Sequence, residues 1–474
     1  MTIKFGTDGW RDIIGDGYTF DNVKKCVQAV CLHLKKTNSS SKGIVVGYDT
    51  RFGSDRFARV AAEVAIGNDI KVSLCNKPAP TPVISYNVVH RNLAGGIIIT
   101  ASHNPAEWNG FKYKSSNGGS ASQEIVDQLE ANIADIDTCD KVKQIPLPES
   151  EVSSLFEYIH PSEPYFNHIK NLVDLDAIKN SGLKVVIDPM FGSGIGYFDN
   201  LIGGGLTKIR QINGKPNPNF PGISQPEPIA NNLKKLRSVV KKSDFDVGLA
   251  LDGDADRLGI VNNKGEYIST LQVFALLCLY LLEIRGDKGP IIRSLTMTTM
   301  VDKISKQFGV KVFNTKVGFK HLAPLMIREQ AIAAGEESGG YAFKGHIPER
   351  DGILSGLFFL DMMIKTGKSS SELLEFLFNK VGPHHYDRLD VTVAASDKEK
   401  MLQRISETKP DYIADKKVLR IDTRDGFQFV FEDGYWLLVR FSGTEPLLRI
   451  YAEAEDPESV KRMLDEGKAL LGIY

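Results

Sequence analysis

Short β-rich runs alternate with helical patterns through about the first 380 residues of this 474-residue chain, and few folds accommodate that alternation. Residues 42–48, 93–100, 183–188, 247–251 and 290–293 are aliphatic and β-branched runs of strand length. Residues 54–67, 123–134, 271–284 and 299–308 carry apolar side chains at helical spacing. Strands separated by helices pair mainly in parallel, so successive α/β units are expected. The pattern changes after the break at Gly382-Pro383-His384-His385. Strand-like runs at 389–394, 427–431, 436–441 and 448–454, with two helical patterns, predict a smaller α+β domain. Further breaks are expected in the polar, proline-bearing stretch 143–164 and near the turn Asn262-Asn263-Lys264-Gly265.

Composition narrows the partners. Hydrophobic residues make up 42% and charged residues 25%, as in ordinary globular proteins, and the net charge is −1. No basic field recruits nucleic acid or an anionic membrane, so an anionic ligand has to be gripped by local clusters. The longest apolar run, 273–282, is too short to span a bilayer and reads as a core helix. The first residues carry no basic segment followed by an apolar one. Five cysteines (Cys26, Cys31, Cys75, Cys139, Cys278), with no C-x-x-C spacing, read as free thiols in a reducing compartment. A soluble, cytoplasmic protein is expected.

Three loops carry chemistry by residue type and spacing. Thr100-Ala101-Ser102-His103-Asn104-Pro105 follows the apolar run 93–99, so a buried strand delivers it to a sheet end, where ligands bind in open α/β sheets. Ser102 beside His103, with Lys112 ten residues on, is a candidate nucleophile or phosphoryl carrier; a polar turn that bonds its own backbone is the alternative. Asp252-Gly253-Asp254-Ala255-Asp256-Arg257 places carboxylates at i, i+2 and i+4 on a turn after a strand. Three converging anions need a cation, and all-oxygen ligation suits Mg²⁺. An EF-hand is excluded because its sixth and twelfth positions would be Arg257 and Asn263. An aspartyl nucleophile and a solvated acidic turn remain open. Gly335-Glu336-Glu337-Ser338-Gly339-Gly340 sets paired carboxylates and a hydroxyl among glycines, suited to sugar hydroxyls or to a helix-capping turn.

Near the C-terminus, Arg440-Phe441-Ser442-Gly443-Thr444-Glu445-Pro446, with Arg449, combines guanidinium, hydroxyls and open backbone N–H groups. That set fits a phosphate dianion, with a salt-bridged hairpin turn as the alternative. Gly192-Ser193-Gly194-Ile195-Gly196 lacks the third glycine of a dinucleotide fingerprint, where Tyr197 stands, and reads as a structural strand–helix turn. No P-loop and no G-x-S-x-G elbow is present.

The four loops in this order, together with Phe5-Gly6-Thr7-Asp8-Gly9-Trp10-Arg11, resemble the α-D-phosphohexomutase superfamily, which includes phosphoglucomutases, phosphomannomutases and phosphoglucosamine mutases. The resemblance spans essentially the whole chain. It implies three successive α/β domains of mixed sheet with flanking helices (1–160, 161–262 and 263–382) and a smaller C-terminal α+β domain (383–474), arranged around a central cleft. It implies that Ser102 carries the transferable phosphoryl group and joins Asp252, Asp254 and Asp256 in holding Mg²⁺. Lys112 and Arg11 match positions implicated in proton transfer, Lys112 as a lysine among cations with a lowered pKa, while His103 shapes the loop or touches phosphate. Arg257, Glu336 and Ser338 match substrate contacts, and Arg440, Ser442, Gly443, Thr444 and Arg449 match the grip on the non-reacting phosphate.

The implied reaction moves a phosphoryl group between the 1- and 6-positions of hexose phosphates, through glucose 1,6-bisphosphate as intermediate and activator. The implied protein is a monomer or homodimer whose last domain moves on a hinge. Glu336-Glu337-Ser338 resembles the glucose-type loop, so glucose 1-phosphate is the expected substrate, with mannose and glucosamine phosphates as alternatives and a non-catalytic sugar-phosphate-binding protein as the rival outside that class. Gly340 stands where many relatives place a histidine, and His346 or Tyr341 are the expected substitutes.

Overall fold

The computed structural model of the protein describes residues 3–136, 141–146, 154–441 and 447–473. Four sheets follow one another along the chain. The first holds β1 (Trp10–Ile13), β2 (Ile44–Tyr48), β3 (Val72–Cys75), β4 (Gly95–Ile99), β5 (Trp108–Ser115) and β6 (Phe156–Ile159), in the order β1-β5-β4-β2-β3-β6. Strands β4, β2, β3 and β6 run parallel; β5 returns antiparallel to β4, and β1 pairs antiparallel with β5. The period-2 alternation of a strand divides its side chains between two helical layers. Ile97 and Ile99 face the core under helices Phe20–Lys36, Ser54–Gly67 and Gln123–Asp135, and Ile98 faces the opposite core with Val83 and Ile84 of helix Thr81–His90.

The second sheet is β11-β10-β9-β7-β8, built from β7 (Lys184–Asp188), β8 (Lys208–Gln211), β9 (Val247–Leu251), β10 (Leu258–Asn262) and β11 (Tyr267–Ile268). The turn at Asn262 to Gly265 does not lead out of this sheet: it closes the β10–β11 hairpin within it. The third is β13-β12-β14-β15, from β12 (Ile291–Ser294), β13 (Val312–Thr315), β14 (Ala333–Gly335) and β15 (Tyr341–Phe343). The last sheet is wholly antiparallel: β16 (His385–Thr392), β17 (Tyr412–Ile413), β18 (Lys416–Asp422), β19 (Phe427–Phe431), β20 (Trp436–Phe441) and β21 (Leu447–Ala454), in the order β16-β21-β20-β19-β18-β17.

One continuous core joins the first three domains, from Val45 and Ile98 through Val185 and Leu249 to Ile291 and Leu357. It reaches the last domain through Trp436, Leu438 and Tyr451, while that domain keeps a core of its own around Phe429, Leu437 and Met463. Helix Thr270–Leu279 starts at a capping box of Ser269 and Gln272 and is buried all round, the core helix expected from its apolar run. Among the described residues no helix is long and apolar enough to cross a membrane. Cys26, Cys31, Cys75 and Cys278 are buried free thiols; Cys139 lies outside the described residues.

Candidate active site at the meeting of four loops

Each chemical loop connects two antiparallel neighbours. The Ser102 loop joins β4 to β5, the aspartate loop joins β9 to β10, and the Glu336 loop joins β14 to β15. Strands β20 and β21 pair the same way around residues 442–446, which lie outside the described residues and include the expected Ser442, Gly443 and Thr444. The Ser102 loop was expected at a strand end of an open sheet with mainly parallel pairing. The returning antiparallel strands make the first three hairpin tips instead, and a tip projects its side chains beyond the sheet edge.

Ser102 has φ +52 and is fully buried. Its amide donates to Thr100 Oγ1 (2.8 Å), whose hydroxyl donates to Asp49 Oδ2 (2.6 Å). Arg51 clamps the loop from below: Nη2 donates to the carbonyls of Ser102 (2.7 Å) and Asn104 (2.6 Å), and Nη1 to those of Pro105 (2.7 Å) and Trp108 (3.1 Å). Arg11 Nη1 donates to Asn104 Oδ1 (2.7 Å). Gly253 meets this loop from the second domain, where a Cβ would stand 2.4 Å from the Ser102 carbonyl oxygen, so only glycine permits the approach. The 192–196 glycine turn braces the same place, with Ser193 N donating to Gly253 O (2.9 Å).

Ser102 Oγ donates to Asp252 Oδ2 (2.7 Å) across 150 positions of sequence. Ligand oxygens of Asp252, Asp254 and Asp256 lie within 4.8 Å of one another, and all three residues are fully buried. Burial, and then the charges of Asp254 and Asp256, push the Asp252 carboxyl well above its ordinary range. Asp254 Oδ1 and Asp256 Oδ1 are buried without hydrogen-bond partners. Orphaned carboxylate oxygens within a fully buried aspartate triad fit a hard divalent cation, which would relieve both the repulsion and the missing bonds.

Lys112 Nζ lies 2.8 Å from Asp254 Oδ2, 3.2 Å from Asp256 Oδ2 and 2.8 Å from Asp8 Oδ2. Burial works against its charge, but the three carboxylates outweigh it and raise its pKa. A lysine among cations with a lowered pKa was expected; the structure places it among anions. His103 Nδ1 stands 3.4 Å from Ser102 Oγ, and burial followed by the charges of Arg257, Arg11, Arg51 and Lys112 holds it well below its ordinary value. Arg257 bonds Glu227 Oε1 (3.1 Å) and leans toward Asp252 and Asp256 at 4.0 and 3.9 Å.

A cleft of about 2000 Å³ opens from this cluster. Arg11, His103, Arg257, Glu336, Ser338, Arg440 and Arg449 all line it. Glu336 Oε1 accepts from the Gly318 amide (2.7 Å), and burial raises its pKa. Glu337 also lines the cleft and reaches across to the last domain, accepting from Tyr386 Oη (2.8 Å) and Arg388 Nη1 (3.3 Å). The side chain that suggested a glucose-type loop therefore ties two domains together. Arg440 and Arg449 are direct cross-strand partners, held by Asp425 (3.0 Å) and Asp390 (3.8 Å) respectively. Like charges set opposite each other destabilise a sheet unless an anion joins them.

The expected substitutes for a histidine at 340 are elsewhere. Tyr341 is fully buried with its hydroxyl on Thr270 O (2.6 Å), and His346 pairs with Asp351 (3.0 Å) in a stack with His168. Arg350 takes the space instead. Asp8, Arg51, Lys114, Glu349 and Arg350 all serve the cluster and were not singled out from sequence. Asp49-Thr50-Arg51 directly after a strand, and two lysines at i and i+2 on a buried strand, were the available signals.

Four family descriptions match the chain in order. They are the phosphoglucomutase/phosphomannomutase alpha/beta/alpha domain I (residues 2–140), domain II (163–265), domain III (271–381) and C-terminal domain (390–469). A phosphoglucomutase/phosphomannomutase of Thermococcus kodakarensis is 33% identical over 98% of each chain. A phosphoglucosamine/phosphogalactosamine mutase of Sulfurisphaera tokodaii is 31% identical, also over 98% of each. A crystal structure of a Thermus thermophilus protein described as a phosphomannomutase superposes with a TM-score of 0.86 at 32% identity, covering 100% of this chain and 99% of that one.

Proposed function

The chain belongs to the phosphoglucomutase/phosphomannomutase family, a phosphohexomutase group, and from that premise we propose that it interconverts hexose 1- and 6-phosphates through a phosphorylated Ser102. The bond from Ser102 Oγ to the Asp252 carboxylate, with Arg257 beside it, is the observation that carries this reading. Phosphoserine at 102 gives its phosphoryl group to the free hydroxyl of a bound hexose monophosphate; the Oγ–P bond breaks as the sugar O–P bond forms, and the proton lost by the sugar hydroxyl is balanced by protonation of the released Ser102 Oγ. The resulting bisphosphate turns round, and its other phosphoryl group returns to Ser102. Mg²⁺ at Asp252, Asp254 and Asp256 supplies positive charge beside the transferring group when bound.

Phosphoryl transfer is mostly positioning and charge stabilisation, and Arg11, Lys112 and Arg257 provide fixed positive charge here. Arg51 holds the loop in register. Arg440 and Arg449 take the non-reacting phosphate, whichever end of the sugar bears it. On substrate, Glu337 offers little support for a glucose preference because it faces Tyr386 and Arg388. The relatives' names include both glucose/mannose and amino-sugar mutases, so glucosamine 1-phosphate stands beside glucose 1-phosphate as a reading.

The test is turnover of glucose, mannose and glucosamine 1-phosphates with Mg²⁺ and a trace of the matching 1,6-bisphosphate. Expected is the 6-phosphate without stoichiometric free phosphate, and a loss of at least about 10⁴-fold in Ser102→Ala. Net phosphate release, or binding without turnover, overturns the mutase reading.

A further inference from the structure

Gly340 and Arg350 form a pair whose geometry bears on sugar recognition, on the premise of the mutase reading above. Gly340 lies at the tip between β14 and β15, and a Cβ there would stand 2.3 Å from Arg350 Cδ and 2.8 Å from Cγ. The Arg350 stem therefore occupies space that any side chain at 340 would claim. No positive φ restricts position 340, so its lack of a side chain answers to Arg350 and not to the backbone.

From that position the guanidinium is held on several sides. Nη2 meets Asp256 Oδ2 (2.8 Å) and Asp8, Nε meets Glu349 Oε1 (3.2 Å), and the group lies over the Phe319 ring at 5.5 Å. Nη1 is aimed differently. Its carboxylate neighbour is Glu336 Oε2 at 3.9 Å, beyond hydrogen-bond range, and both residues line the cleft. An oxygen about 2.8 Å from each atom would see them at an angle of about 90°, which a hydroxyl accommodates by accepting from Nη1 and donating to Oε2. An ammonium group at the same point donates to Glu336 but cannot accept from Arg350.

We infer that Arg350, admitted by the bare Gly340, and Glu336 together grip one ring hydroxyl of the sugar. Arg350 keeps its charge at all working pH values, so it reads the substrate and moves no proton. The grip favours a hydroxyl over an amine at that ring position.

The test compares glucose 1-phosphate with its 2-, 3- and 4-deoxy analogues, by turnover and by calorimetric binding with Mg²⁺ present. In the wild type, one analogue should lose about tenfold to a hundredfold in kcat/KM and in affinity. Gly340→Ala keeps every charge of the cluster but pushes the guanidinium off its path. It should weaken the parent substrate by a similar factor and abolish that single penalty, leaving the other two unchanged. Arg350→Lys should do the same, because a point charge held by Asp8 and Asp256 has no second arm for the hydroxyl. Folding is checked by thermal unfolding, so that either variant can decide. Equal penalties for all three analogues, or a penalty that survives in a folded variant, overturns the grip. Binding that keeps the single-analogue pattern without turnover sinks the mutase reading and leaves the grip standing.

Discussion

The cluster where the first three domains meet and the cleft-facing edge of the last sheet both gather charge, but they do so in opposite ways. In the cluster, the side chains of Asp254, Asp256, Lys112, Lys114 and Glu349 are at most 1% exposed and bind one another across three domains. At the edge, Arg440, Arg449 and Arg388 are 12, 25 and 29% exposed; Asp425 holds the first, and Arg449 and Arg388 share Asp390, with Glu337 also on Arg388. Buried opposite charges in contact make a stiff unit, because moving one strands the others without water or partner. Exposed pairs are weak and exchange partners readily. A site that transfers a phosphoryl group needs the first kind of construction. Under the proposed function, a grip that takes a phosphate from either end of a reorienting sugar is served by the second.

The largest effect that would break this contrast is expected in the cluster. Asp254→Asn removes a carboxylate that holds Lys112 and Thr81, and mutase turnover at saturating Mg²⁺ should fall about 10³-fold, with weakened calorimetric Mg²⁺ binding. Turnover within tenfold of wild type would mean that the three aspartates are not the metal centre. A smaller change is expected at the edge. Arg449→Gln should raise KM about tenfold while kcat holds nearly steady, and the effect should shrink as salt rises. A fall in kcat with KM unchanged would place Arg449 with the transferring group, erasing the contrast.

The smallest effect concerns a tie between the third and last domains. Glu453 accepts from Trp436 Nε1 (2.9 Å) and from the Thr299 amide (2.9 Å), with His384 Nδ1 at 3.5 Å. Burial works against its charge, but His384 and the threonine donors outweigh it and hold the carboxyl below its ordinary 4.5. A depressed carboxyl pKa stabilises the folded form above the unfolded value, and that stability is lost as pH falls through the folded one. Trp436 emission, read in a Trp10→Phe, Trp108→Phe background, should therefore shift below about pH 4.5 before global unfolding, and Glu453→Gln should remove that pH dependence. Emission that changes only with global unfolding would show the two regions loosening together.

Local order was legible because it is written locally. Strand Val247–Leu251 and helix Ser54–Gly67 have the bounds their apolar periodicity predicts, and helix Met300–Phe308 differs by one residue at its start. Ser102, the three aspartates and Lys112 were recognisable from residue type and spacing, Arg11 only through the family resemblance, and the structure brings them together. Arg51 was not, since a guanidinium that bonds backbone carbonyls 51 to 57 positions away leaves no local mark. The partners of Glu337 were illegible for the same reason, because Tyr386 and Arg388 belong to another domain.

The sequence alone determined the chemical vocabulary: a hydroxyl, three carboxylates, a carboxylate pair among glycines and a basic terminal loop, in that order, on α/β units. Those choices rest on residue type and short-range periodicity, which a linear reading contains. Only the tertiary structure decided which charges face which. The antiparallel return of β5 carries Lys112 and Lys114 back past β4 on one face, where the loops of two other domains present Asp254, Asp256 and Glu349. Lys112 thus became a partner of anions, and Gly340 the opening through which Arg350 enters. Coulombic and steric relations between residues far apart in the chain depend on distances that only the folded chain sets.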